Sequence, residues 1–344
     1  MNKAILPKVA KPVRYEVKLD IDLSNFKYTG SQDVELEIIK ETKSFEVNAI
    51  DIEIISTILF NEDGKEFDLT FEYLKDLERI SFTASENIPV GKYSLQLEFN
   101  STITNDLKGF YKSQFLDLND NEKWIATTQF EPTSARNAFP CWDEPEYKAV
   151  FSISLTSDEK YLRVSNEKVL RENKLEDGRV ETLFVDSMKM STYLVAFVIG
   201  ELEVTEVGSV GDTQIRIIHR PGFSHQTSFA GTAGMKILEF FENYYQIPYP
   251  GSKLDLIAIP DFAMGAMENV GAVTFRESLL LIDESKATRQ ELSRSVSVIA
   301  HELAHMWFGD LVTMKWWDGI WLNEAFASLM EAIAANGTYP EFDQ

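Results

Sequence analysis

Two histidines stand four residues apart in His301-Glu302-Leu303-Ala304-His305, and no other stretch restricts the fold of this chain as tightly. On an α-helix, positions i and i+4 share one face a turn apart, so both imidazoles can reach one metal ion while Glu302 points into the same cleft. Zinc suits this arrangement best, and a catalytic zinc takes three protein ligands and keeps a position open for water. Glu324 lies nineteen residues beyond His305, on the next predicted helix. That is enough chain to turn back and present a carboxylate as the third ligand. The bland alternative is a surface coincidence, but only four histidines occur in the chain and two fall here, flanked by Leu303, Met306 and Trp307.

A second run, Gly265-Ala266-Met267-Glu268-Asn269, sits inside the otherwise apolar segment 262–273. Gly265 lets backbone pass close to a ligand. Glu268 is a carboxylate where an unpaired charge is costly, so it is expected to meet a cation. Taken alone, the run also fits a surface loop.

Upstream of about residue 200 the pattern is that of strands. Tyr15, Val17, Leu19, Ile21 and Leu23 alternate with polar neighbours, as do Val34 to Ile38, Phe67 to Tyr73 and Tyr93 to Phe99, the signature of half-buried antiparallel sheet. Asp63-Gly64 and Asp177-Gly178 supply turns between them. Val150 to Leu155 and Tyr193 to Val198 add strands, the latter apolar enough to be buried on both faces. Beyond residue 201 the period changes. Helices are predicted over 227–245, 289–307 and 322–335, the last closed by Gly337 past its end, with short buried strands at 254–259 and 272–275. The expected plan is α+β: a β-rich domain over 1–200 and a catalytic domain over 201–344.

Gly265-Ala266-Met267-Glu268-Asn269 followed by His301-Glu302-Leu303-Ala304-His305, with Glu324 set in Trp321-Leu322-Asn323-Glu324-Ala325-Phe326, resembles the M1 family of zinc aminopeptidases, the gluzincins. The resemblance extends to Leu107-Lys108-Gly109-Phe110-Tyr111, to Thr128 through Arg136 and to Phe139 through Pro145. It implies a saddle-shaped β-sandwich domain followed by a thermolysin-like zinc-metallopeptidase domain. Carried over residue by residue, His301, His305 and Glu324 bind one Zn2+ per chain and Glu302 is the general base for a zinc-activated water. Glu268 and Glu131 bind the free α-amine of a peptide. The backbone around Gly265 and Ala266 holds the substrate main chain, Met267 and Asn269 belong to the same substrate-binding run, and Met264 and Gln129 line the pocket for its first side chain. The implied partners are peptides with a free N-terminal amine. A lipid epoxide hydrolase branch of the family is disfavoured, because Glu131 replaces a glutamine found there.

The resemblance also implies a tyrosine about sixty residues beyond the third ligand to stabilise the oxyanion, and a helical domain closing over the site. The chain stops twenty residues beyond Glu324, and Tyr339 is wrongly spaced for the role. The catalytic domain is therefore expected to be truncated at its C-terminal side. The alternative function is a zinc-binding but catalytically incomplete fragment, acting at most as a module that binds peptide N-termini.

Charge and cysteine content exclude other classes. Lys+Arg 33 against Asp+Glu 55 leaves −22, which repels phosphate backbones and anionic membranes, so no nucleic-acid or membrane partner is expected. Cys141 is the only cysteine and is read as a buried structural thiol. The basic start from Met1 has no apolar run behind it, so no secretion signal is expected and the chain is read as cytoplasmic. His219 and His225 are assigned no ligand role, and Trp316, Trp317 and Trp321 are expected to pack the loop between the ligand-bearing helices. Oligomeric state and first-residue preference leave no trace in the sequence.

Overall fold

The computed structural model describes residues 5–342; residues 1–4, which open the basic N-terminal run, and residues 343–344, where the chain stops, lie outside the described residues. Two compact units emerge. One holds the chain up to Tyr111 with Thr128–Glu159 and Val169–Val195; the other holds Lys112–Thr127, Lys160–Lys168 and the chain from Ala196 onward. The sequence boundary near residue 200 thus lies close to the last crossing, while two earlier segments also join the second unit. A change of period could not reveal them, because they are strands in a region that is all strand.

In the first unit, alternation translates directly into sheet. Ala10–Asp22 buries Tyr15, Val17, Leu19 and Ile21 and pairs antiparallel with Lys27–Ile38 and parallel with Val150–Asp158. These strands belong to an eight-stranded sheet, and Thr42–Asn48, Arg79–Ile88 and Leu69–Leu74 form a separate three-stranded sheet. The expected single strand from Phe67 to Tyr73 is in fact split: Glu66–Phe67 edges the large sheet, whereas Leu69–Leu74 lies in the small one with Phe71 and Tyr73 partly exposed. Alternation survives a change of sheet, so the pattern could not show the break. Tyr193 to Val198 is also not one strand. A 3-10 turn at Thr192–Leu194 precedes the strand Phe197–Gly200, and a run buried throughout carries no period to tell the two apart.

The second unit is built on a five-stranded sheet in the order Glu203–Val210, Thr213–His219, Lys253–Ile259, Ala272–Arg276, Ala266–Met267. Lys253–Ile259 is buried at every position and pairs parallel on both sides, which explains its continuous apolar run. Ala266–Met267 is the edge strand, antiparallel to Ala272–Arg276. Four helices accompany the sheet: α1 (Ser228–Tyr245), α2 (Glu277–Leu280), α3 (Arg289–His305) and α4 (Trp321–Thr338). Phe229, Ile237 and Phe241 of α1 share a core with Val296, Ile299 and Leu303 of α3 and with Leu256 and Phe275 of the sheet. Gly337 does not close α4 as expected but lies within its last turn. A Cβ there would stand 2.5 Å from the Phe240 ring, so a close helix approach and not a cap selects glycine.

Candidate active site

Helix α3 begins with a capping box. The Thr288 hydroxyl accepts from the Glu291 backbone N–H at 3.2 Å, and the Glu291 carboxylate accepts from Thr288 N at 2.7 Å, satisfying two N–H groups that the helix leaves open. With its start fixed, α3 turns Val296, Ile299, Ala300, Leu303 and Ala304 into the core and presents His301 and His305 on one face, ring centroids 4.7 Å apart. α4 packs alongside and brings Glu324 in its first turn. Its Oε2 stands 3.2 Å from His301 Nε2 and 4.0 Å from His305 Nε2.

The outer nitrogens of both rings are held. His301 Nδ1 lies 3.1 Å from Glu331 Oε2, and His305 Nδ1 lies 3.1 Å from the Phe308 carbonyl oxygen. Because only acceptors face the two Nδ1 atoms, each carries a proton there and both Nε2 atoms are directed at Glu324. Donor atoms of His301, His305 and Glu324 lie within 4.8 Å of one another. Two imidazoles and one carboxylate with the outer nitrogens fixed are what a three-ligand metal site requires, and this set fits one divalent ion. Glu331 was not singled out from the sequence. Its signal is a carboxylate one helical face-repeat after Glu324, with nothing to distinguish it from the other acids.

Glu302 is buried, and its carboxylate has no hydrogen-bond partner among the described residues. Burial, reinforced by the neighbouring Glu268 carboxylate, pushes its pKa well above the ordinary range. Glu268 is equally buried, and donor atoms of Glu268, Glu302 and His305 form a second cluster within 4.8 Å. The surface-loop reading of 265–269 therefore fails on burial: Met267, Glu268 and Asn269 are all inside, although Met264 is 58 % exposed. Gly265 and Ala266 are half-buried. Arg276 N donates to the Gly265 carbonyl at 2.9 Å, which ties the start of the segment to the neighbouring strand.

The segment after Glu268 is fixed from behind by groups that the sequence did not reveal. Lys253 Nζ donates to the Gly271 carbonyl at 2.6 Å and to Asp255 at 2.8 Å, Asn166 Nδ2 donates to the Val270 carbonyl at 2.8 Å, and Tyr249 Oη accepts from Gly271 N at 2.9 Å. Gly271 has φ +73, and a Cβ there would stand 1.9 Å from the Asn166 carbonyl oxygen, so no other residue fits. Gln129 closes the strand Glu122–Gln129 and is buried; Glu131 follows it and is half-buried. Both belong to the first unit, and Glu268 and the three donor residues to the second. Cys141 is buried with its thiol pKa pushed far up by that burial, as a structural cysteine should be. Trp321 is 60 % exposed and does not pack the loop as expected.

In the metal-free chain, burial lowers the pKa of His301, but the hydrogen bonds it donates to the Glu324 and Glu331 carboxylates overcome it and raise the group to about 10. A proton held more tightly in the folded than in the unfolded state adds stability in full below the unfolded pKa near 6.5, and the contribution is lost as pH rises toward 10. Glu302, raised by burial, acts with the same sign above the usual carboxylate pKa. The melting temperature of the metal-free chain is therefore expected to fall steadily from about pH 6.5 to 10. Metal-loaded protein, in which His301 must be neutral to act as a ligand, should lack that slope. Thermal melts with and without metal across this range check it.

Residues 11–194 match the Peptidase M1 N-terminal domain and residues 229–344 the Peptidase family M1 domain. Among similar proteins, Aminopeptidase M1-A of Oryza sativa subsp. japonica is 40% identical across 99% of this chain, covering 39% of that protein. Endoplasmic reticulum aminopeptidase 2 of Homo sapiens is 39% identical across 98% of the chain, covering 36% of its own length. Puromycin-sensitive aminopeptidase of Caenorhabditis elegans is 40% identical, again across 98% and 36%. The chain spans less than two fifths of the length of each of these relatives. Among the described residues no helix is long and apolar enough to cross a membrane.

Proposed function

Since this chain belongs to the M1 peptidase family, a family of hydrolases, we propose that it acts as a zinc-dependent aminopeptidase on peptides with a free N-terminal amine. The observation that supports this most is the convergence of His301, His305 and Glu324 beside two buried carboxylates, Glu302 and Glu268. The first three hold the ion, one per chain. When bound, zinc polarises the scissile carbonyl and brings the pKa of water down to about 7.

The remaining work falls to the protein. Glu302 takes a proton from the attacking water and delivers it to the leaving amine; a base whose pKa is raised from the usual carboxylate value is well matched to both transfers near neutral pH. Glu268 binds the substrate α-ammonium through charge-assisted hydrogen bonds that an acylated amine cannot make. Preference for the chain end follows from that pairing. The backbone around Gly265 and Ala266 holds the substrate main chain by strand addition, and Met264 lines the first side-chain pocket.

Glu331 sets the tautomer of His301, so zinc should bind more weakly without it. Glu331→Gln is expected to lower zinc affinity by about 10- to 100-fold, the usual effect of removing a group that orients a ligand. Competition with a fluorescent chelator measures it. An unchanged affinity would exclude that role. The proposal as a whole is tested by metal analysis of the purified chain, with near one zinc per chain expected, lost in His305→Ala.

A further inference from the structure

Asn323 precedes Glu324 in the first turn of α4 and is completely buried. Its Nδ2 donates to Glu268 Oε1 at 3.0 Å. Among the described residues no other hydrogen-bond partner reaches the Glu268 side chain. Asn323 Oδ1 is buried without a hydrogen-bond partner among the described residues, and Gly309 packs closely against it, since a Cβ there would stand 2.0 Å from Oδ1. Two adjacent residues of one helical turn therefore serve two different jobs: Glu324 faces the histidines, and Asn323 faces the carboxylate on the edge-strand segment.

We propose that Asn323 is a positioning residue that holds the Glu268 carboxylate at a fixed place relative to the metal ligands, and so sets how tightly a peptide α-ammonium binds. The role rests on the reading of Glu268 given above. The physical argument has three parts. A buried carboxylate with a single neutral donor leaves most of its acceptor capacity unmet, so the site suits a cation. The donor must be neutral, because a lysine or arginine there would neutralise Glu268 and compete with the substrate ammonium. It must also sit on a rigid element, because an untethered carboxylate would not keep its place relative to the metal ligands. An amide on the helix that carries a metal ligand meets both conditions, and it couples the amine site to the metal site through a single backbone step.

The test uses the full chain in a Glu302→Gln background, so that peptide is not consumed. Binding of a short alanyl peptide and of its N-acetylated form is measured calorimetrically, with zinc content determined on the same samples. Asn323→Ala is expected to weaken binding of the free-amine peptide by about 10- to 100-fold, the range for losing a hydrogen bond to a charged group. The acetylated peptide and the zinc content should be unaffected. In a Glu268→Gln background the same substitution should have almost no further effect on the free-amine peptide. A parallel loss of zinc would overturn the proposal by showing that Asn323 merely holds α4 in place. Unchanged free-amine binding, in a chain that does prefer the free amine, would overturn it while leaving Glu268 its role. Equal binding of the two peptides before any change at Asn323 would overturn the amine role of Glu268, and this proposal with it.

Discussion

Glu302→Gln is expected to reduce kcat by about 10²- to 10⁴-fold, the range for losing a positioned general base, with zinc content unchanged. The substitution keeps volume and planarity but cannot accept the proton of the attacking water. Glu302 is buried on α3 beside His305 and Glu268, without a hydrogen-bond partner among the described residues, so its replacement by an amide breaks no structural bond. The variant should therefore be at least as stable as the parent when metal-free. A fall in activity with both zinc content and melting temperature maintained identifies a chemical role. Undiminished turnover would sink the assignment.

Glu268→Gln should act on substrate recognition. Its carboxylate shares a buried site with Glu302 and accepts from Asn323, and glutamine retains an oxygen for that bond. What disappears is the charge facing the ammonium. Truncating one partner of a buried charge pair costs about 2 to 5 kcal/mol, so kcat/KM for free-amine substrates should drop by roughly 30-fold to several thousand-fold. The loss should appear mostly in KM, and discrimination against N-acetylated substrates should shrink by the same factor. Glu324→Asp makes the contrast, because it should lower zinc occupancy and leave the ratio of free to acetylated substrate intact. The reverse pattern in the two variants would undo both roles.

How far the sequence reached is clearest at α3. Its apolar face and its i, i+4 histidines are local, and local patterns survive folding; the strand alternation around Tyr15 is equally direct. The grouping of His301, His305 and Glu324 was legible for the same reason, since each residue lies on a helix that the sequence announces. The groups that hold those ligands were not. Glu331 meets His301 across thirty residues and is one of 55 acidic side chains. Lys253, Asn166 and Tyr249 converge on Val270 and Gly271 from three separate segments, and only packing brings them together. Glu268 showed its charge in an apolar run, whereas its burial and its bond to Asn323 depend on where α4 lands. Gly337 reads as a cap in one dimension, and Gly271 and Gly309 carry no sequence signal of their own. In three dimensions each marks a close approach to a neighbour.

The most direct test of the central claim is hydrolysis of a panel of aminoacyl fluorogenic amides by the 344-residue chain, beside their N-acetylated counterparts, before and after removal and restoration of zinc. The account predicts cleavage of free-amine substrates alone, abolished by chelation and recovered with about one zinc per chain. Comparable cleavage of the acetylated amides, or cleavage that survives metal removal, would contradict it. So would full zinc occupancy without cleavage of any substrate, which would leave peptide N-terminus binding as the function of these residues.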